Sequence, residues 1–146
     1  MSGAQRRSLY SPELLALAVE LADYPLDPGL RHLGEARSKT CGSTLVFGCN
    51  RDSAGAVGEF GMRVTACAVG QAAAAVFARH VAGRTEAELA SSAAALSDWL
   101  SGEGDMPVWP DIDRLAPALP HPGRHGAILL PWRAALDALS KVRDAR

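Results

Sequence analysis

Two short alternating runs separated by turn formers constrain this chain more than any other feature. In residues 43–50, Leu45, Phe47 and Cys49 fall on one face, while Thr44, Val46 and Asn50 fall on the other. Arg51-Asp52-Ser53-Ala54-Gly55 is turn chemistry. Beyond it Phe60, Met62, Val64 and Ala66 alternate with Arg63 and Thr65. Period-two alternation places each set on one side of a pleated strand, so the pair reads as an antiparallel hairpin. Two strands alone are marginal in water, so helices must cover one face. Cys41-Gly42-Ser43 enters the hairpin and Cys67 leaves it. The ends of a hairpin meet in space, which can bring those two cysteines together.

The flanking segments supply the helices. Ser11-Pro12-Glu13 is a helix start, with a capping serine, a first-turn proline and an acid suited to the dipole. Leu14, Leu15, Ala18, Val19 and Leu21 would form its apolar face, and Pro25 would end it. Residues 26–40, rich in proline, glycine and charge, read as a linker. An alanine-rich helix is expected over residues 69–81, with Val76, Phe77 and Val81 packing and Gly83 as its stop. Thr85-Glu86-Ala87-Glu88 is a capping-box pattern opening a helix through Leu89, Leu96, Trp99 and Leu100, which Gly102 and Gly104 end. Residues 107–122 are punctuated by proline, with a helical turn near Ile112. A last helix runs from about Ala127 to the Lys141–Arg143 tail. The fold class expected is α+β: a small antiparallel sheet covered by about four to five helices. The whole of residues 1–146 reads as one domain, with 1–9 as a flexible tail.

Composition narrows the function. A hydrophobic share of 48% and a charged share of 21% are those of a globular chain. A net charge of −1 gives no electrostatic reason to expect nucleic acid or an anionic membrane as partner, and apart from Arg6-Arg7 the basic residues are scattered. No segment approaches the ~20 apolar residues of a membrane helix, and the amino terminus lacks signal-peptide character. A cytoplasmic protein is the expectation. Three cysteines, an odd number, argue against a secreted disulfide framework and leave metal or thiol chemistry.

Cys67 sits where a strand gives way to a helix, whose amino terminus can favour a thiolate. By itself it could equally be a small buried hydrophobe; Cys41 at the same hairpin end raises the functional reading. Cys49 shares the parity of Leu45 and Phe47 and reads as core. His80 belongs to helix packing or surface, and His32 lies beside Arg31 without a visible partner. His121 and His125 flank Arg124 before the last helix, close enough in sequence to be metal-ligand candidates. No phosphate-binding loop, nucleophile elbow or zinc-protease histidine pair is present, and no acid–base pair points to an enzyme.

In their order and spacing these residues resemble the iron–sulfur cluster scaffold family: the NifU amino-terminal domain, IscU and SufU. The resemblance runs over roughly residues 10–139. It rests on Cys41-Gly42-Ser43 ahead of the hairpin and Cys67-Ala68-Val69-Gly70-Gln71-Ala72 after it. Gly83-Arg84-Thr85 then opens the next helix, and Pro122, Arg124, Ala127, Leu130 and Trp132 follow near the end. The resemblance implies a SufE/NifU-like fold and a scaffold or carrier in iron–sulfur cluster assembly, not an enzyme. It implies Cys41 and Cys67 as ligands of a [2Fe-2S] cluster or of zinc, with His125 and Ser43 as lesser candidates and Arg124 nearby. Cysteine desulfurase and cluster-transfer proteins are the partners it implies.

The chain departs from the pattern twice. Ser43 replaces an aspartate that in the family can ligate zinc. Ala127 replaces a third cysteine, and Gly126 stands where IscU has a histidine. Clusters and structural zinc want four ligands, so one chain falls short, whereas a homodimer would supply four cysteines. Two other readings follow. One is a SufE-like persulfide acceptor using Cys67; the other is a non-ligating adaptor of the same pathway, with no metal or cluster bound.

Overall fold

The computed structural model describes residues 11–144, so the expected tail at residues 1–9 lies outside the described residues. Helix α1 (Pro12–Val19) begins as the sequence predicts, with the Ser11 hydroxyl accepting the Leu14 N–H at 3.2 Å. Its buried residues are Leu14 and Leu17, whereas Leu15 and Val19 point to solvent, so the inward stripe is narrower than expected. The helix tightens into a 3-10 turn at Glu20–Asp23. There Glu20 pairs with Arg79 of the alanine-rich helix α2 (Ala68–His80), which fixes the roll of α1.

The sheet has three strands in the order β1 (His32–Arg37), β2 (Thr44–Arg51), β3 (Val57–Thr65), all antiparallel. The β2–β3 hairpin has the predicted parity: Leu45, Phe47 and Cys49 are fully buried. β1 corrects the reading of residues 26–40 as a linker. Its inward positions are Gly34 and Ala36, which carry no hydrophobic signature. A Cβ on Gly34 would lie 2.1 Å from the Ala134 carbonyl oxygen, so helix α4 (His125–Asp144) rests directly on the strand backbone. Small residues here permit close approach rather than fill a core.

Each sheet edge has one outward N–H occupied. On β1 the Glu35 N–H donates to Asp137 Oδ2 at 2.9 Å; on β3 the Met62 N–H donates to the Tyr24 carbonyl at 2.9 Å.

Helix α3 (Glu86–Leu100) starts with the predicted capping box between Thr85 and Glu88, and Leu89, Leu96, Trp99 and Leu100 are buried. A 3-10 segment, Ile112–Ala118, crosses α2. Asp111 there accepts from Arg79 at 3.1 Å and lies 2.9 Å from His80 Nε2, which accounts for His80 as a packing residue. A third 3-10 turn, Pro122–Arg124, leads into α4, which begins two residues earlier than expected. The core centres on Phe47, Phe77, Trp109 and Trp132. Phe77 stacks on Trp109 with centroids 5.5 Å apart and meets Trp132 edge-on at 5.0 Å. Each such pair adds about 0.5–1.5 kcal/mol beyond its buried area.

Candidate functional site

The site is built where the hairpin opens. Thr44 pairs with Thr65, so Cys41 lies three residues before the first rung and Cys67 two residues after it. Residues 38–43 form the β1–β2 turn. It is closed by Ser38 N–H to the Ser43 carbonyl at 2.8 Å and Gly42 N–H to the Ser38 carbonyl at 3.0 Å. Gly42 holds φ at +70°, a left-handed conformation that favours glycine. This turn projects Cys41 into solvent while burying the two serines around it.

Those serines decide the chemistry of Cys41. Among the described residues Ser38 and Ser43 are the only buried polar ones, 2% and 4% exposed. Their hydroxyl oxygens lie 3.4 and 3.0 Å from Cys41 Sγ. The Ser38 hydroxyl, then that of Ser43, hold the Cys41 thiol below its ordinary pKa against the opposing effect of desolvation; the Ser43 backbone and the Arg124 charge add smaller support. An exposed thiol so supported is the kind that reacts as thiolate. Sequence reasoning missed Ser38 because it lay in the supposed linker; only the turn makes it a neighbour of Cys41.

The amino terminus of α4 forms the facing wall. Thr40 Oγ1 donates to the Gly123 carbonyl at 3.3 Å, and a Cβ on Gly126 would approach Ser38 Oγ to 2.7 Å. Glycine at 126 therefore lets the turn sit against the helix. Ala127 is fully buried, and a Cβ on Gly70 would come within 3.2 Å of its methyl. Gly70 lies in the first turn of α2, whose N-cap is Cys67, half-buried, with no capping bond from its side chain. The two cysteine-bearing segments and residues 123–127 thus converge on one end of the molecule. Cys49 does not: it is fully buried, and burial pushes its thiol up to about 11.

The donor set does not suit a four-ligand metal or cluster held by one chain. Among the described residues no three His, Cys, Asp or Glu side chains gather as ligands, so Cys41, Cys67 and His125 form no such group. His125 is helical rather than in a loop, and its Nε2 lies 3.2 and 3.1 Å from the carbonyls of Ala118 and Leu119, to which it can donate. The Ser43 hydroxyl is engaged with Cys41, and Ala127 offers a methyl group.

A three-stranded sheet under an alanine-rich helix and a long terminal helix, with thiols at the hairpin mouth, defines the NifU-like α+β fold. The resemblance read from the sequence holds in three dimensions. A NifU-like protein (N-terminal) from Brucella abortus, described as nitrogen-fixing, superposes with a TM-score of 0.87 at 27% identity, covering 97% of this chain and 99% of that one. A protein from Fervidobacterium islandicum described as an iron–sulfur cluster assembly scaffold for the SUF system gives 0.79 at 20% identity. It covers 91% of this chain and 98% of that one, and its likeness concerns the fold alone. No family model matches the sequence, and no curated protein matches it. No helix among the described residues is long and apolar enough to cross a membrane.

Proposed function

We propose that this chain is a scaffold or carrier in iron–sulfur cluster assembly, working through Cys41 and Cys67, and not an enzyme. The observation that supports it is the exposed, hydroxyl-supported Cys41 at the hairpin mouth of a fold whose described neighbours include an assembly scaffold. The cluster is cargo rather than a resident cofactor. Because one chain brings two cysteines to this end, a labile [2Fe-2S] cluster would sit between two copies, or between this chain and a transfer protein. Cysteine desulfurase is the sulfur-supplying partner on this reading, and the cytoplasm its place. Anaerobic incubation with ferrous iron, sulfide and desulfurase, followed by metal analysis and an absorption spectrum, tests it. Expected is about one cluster per two chains, lost in both Cys41→Ser and Cys67→Ser. Unchanged loading in either variant refutes the scaffold.

The lowered thiol pKa favours a second reading, a sulfur acceptor. Here the Cys41 thiolate attacks the outer sulfur of a desulfurase persulfide. The new bond is Cys41 S–S, the donor's S–S bond breaks, and the desulfurase cysteine leaves as thiolate with the persulfide proton retained on the transferred sulfur. The exchange is redox-neutral and needs no metal. The expectation that Cys67 is the acceptor moves to Cys41 on this reading. Mass spectrometry after incubation with desulfurase and cysteine decides: one added sulfur that survives Cys67→Ser and disappears in Cys41→Ser supports it, and the reverse overturns it.

A further inference from the structure

At the far end of the β1–β2 ladder, roughly 20 Å from the cysteine turn by strand length, Arg31, His32, Asn50 and Arg51 line a cavity of about 380 Å³. That volume lies in the range of small-ligand sites. Its charge is one-sided. Among the described residues no carboxylate forms an ion pair with Arg31, His32 or Arg51, although the chain as a whole carries a net −1. One carboxylate bonds to the lining: Glu59 accepts from Asn50 Nδ2 at 3.3 Å.

The framework beneath is fixed rather than loose. His32 pairs with Cys49 across the ladder, and the Arg31 N–H donates to Asn50 Oδ1 at 3.0 Å, which ties the strand entry to the end of β2. Arg51 is clamped by its own donors: Nη1 to the Gly55 carbonyl at 2.7 Å and Nη2 to the Leu139 carbonyl at 3.1 Å. Its Nε is buried without a hydrogen-bond partner. Carbonyl dipoles hold this guanidinium in place without neutralising it. The His32 imidazole is pushed below its ordinary pKa by burial, then by the charges of Arg51 and Arg31. The lining therefore carries two guanidinium charges beside an imidazole held toward its neutral form.

We infer that this cavity binds a phosphate group, free or carried on a small molecule, between Arg31, His32 and the charge of Arg51. The Arg31 guanidinium fork matches an oxyanion while Arg51 contributes its charge, and a tetrahedral phosphate can accept from several sides at once, where a carboxylate presents two coplanar oxygens. A dianion answers the two guanidinium charges better than a monoanion, and the neutral His32 imidazole can still donate one hydrogen bond to it. The site is separate from the thiol end, so its occupancy and cluster or sulfur handling can be tested independently.

The test uses the full chain and inorganic phosphate at constant ionic strength, followed through the NMR signals of the His32 imidazole and by calorimetry. Saturable binding is expected, with acetate and chloride producing no saturation. Arg31→Ala and His32→Ala should each weaken binding roughly tenfold, the scale of a lost charge-assisted hydrogen bond, while exposed Arg133→Ala leaves it unchanged. Arg31 is exposed and its side chain makes no ion pair, so that variant folds even if changes at Arg51 do not. Tighter binding of glycerol phosphate would assign a phosphorylated small molecule; equal or weaker binding would assign free phosphate. A response linear in concentration, equal for chloride, or unaffected by Arg31→Ala overturns the inference.

Discussion

Removing the two serine hydroxyls beside Cys41 should slow its reaction without unfolding the protein. Ser38 Oγ and Ser43 Oγ stand 3.4 and 3.0 Å from the sulfur. When the thiol ionises, each can turn its proton toward the thiolate. Thr40, already bonded to Ser38 and Gly123, can take up the change. A hydrogen bond to a charged group contributes about 1.5–3 kcal/mol when shielded. Cys41 is exposed, so water competes and about 1 kcal/mol per hydroxyl is the defensible figure. That corresponds to roughly a fivefold smaller thiolate population per serine at neutral pH, and more than tenfold for the pair.

The assay is the pH–rate profile of iodoacetamide alkylation in a Cys67→Ser background. Cys49 serves as an internal control, because it is fully buried and its thiol is pushed up to about 11. Ser38→Ala and Ser43→Ala should each move the rate midpoint to higher pH and leave the high-pH plateau unchanged. The effect belongs to reactivity. A thiol whose folded pKa is lowered adds stability that is fully present only above the unfolded thiol's value, about 8.5, and that is lost as pH falls through the folded value. Near pH 7 the melting temperature should therefore change little through this route. A midpoint that stays put in the double variant, or moves to lower pH, refutes the argument that the hydroxyls create the thiolate.

Three further outcomes follow from the packing. Gly34→Ala would drive a Cβ into backbone atoms of Ala134 and Ala138, at 2.1 and 2.3 Å, which no rotamer change relieves. Denaturant unfolding should show a loss at or above the upper range of overpacking costs, about 3 kcal/mol. Asp137→Ala leaves the Glu35 N–H on the β1 edge without its acceptor and should cost about 1 kcal/mol or less, since that carboxylate is partly exposed. The Glu35 N–H, with help from Lys141, holds the Asp137 pKa low, so this contribution is present above the ordinary carboxylate range and lost as pH falls through the folded value. The variant's deficit should accordingly shrink in acid. Ala127→Cys places a third thiol at the wall facing Gly70; it should lower stability by about 1–3 kcal/mol yet raise iron retained per chain after anaerobic reconstitution. A folded variant with unchanged iron content would refute the placement of residue 127 at the site.

What the sequence revealed follows the physics of each element. The hairpin was legible because Leu45, Phe47 and Cys49 repeat with the pleat, and the same parity correctly put Cys49 in the core. The caps at Ser11 and Thr85 were legible because capping chemistry is local. β1 was not, since Gly34 and Ala36 earn their inward places by what they omit, and α4, some 100 residues away in sequence, supplies the contact. Ser38 was illegible for a related reason. Nothing about a serine three residues before a cysteine signals a thiolate partner until the left-handed Gly42 folds the turn back. His125 carried a real signal, two histidines around an arginine, but helix α4 starts early enough to aim its Nε2 at carbonyl oxygens.

The two departures from the scaffold pattern become coherent when taken together. A carboxylate at position 43, which the family resemblance leads one to expect, would lie beside the Cys41 sulfur and oppose its ionisation by like charge. A hydroxyl at 3.0 Å does the reverse, because it can donate. Ala127 removes a ligand from the facing wall, and Gly126 brings the serine turn close to that wall. Each change weakens the case for a cluster enclosed by one chain, and Ser43 supports the thiolate of an exposed Cys41. Selection for tight metal retention would act against both substitutions. Transient handling of sulfur, or of a cluster completed by a second protein, tolerates both, so on the proposed reading the chemistry rests on Cys41 rather than on a full ligand set.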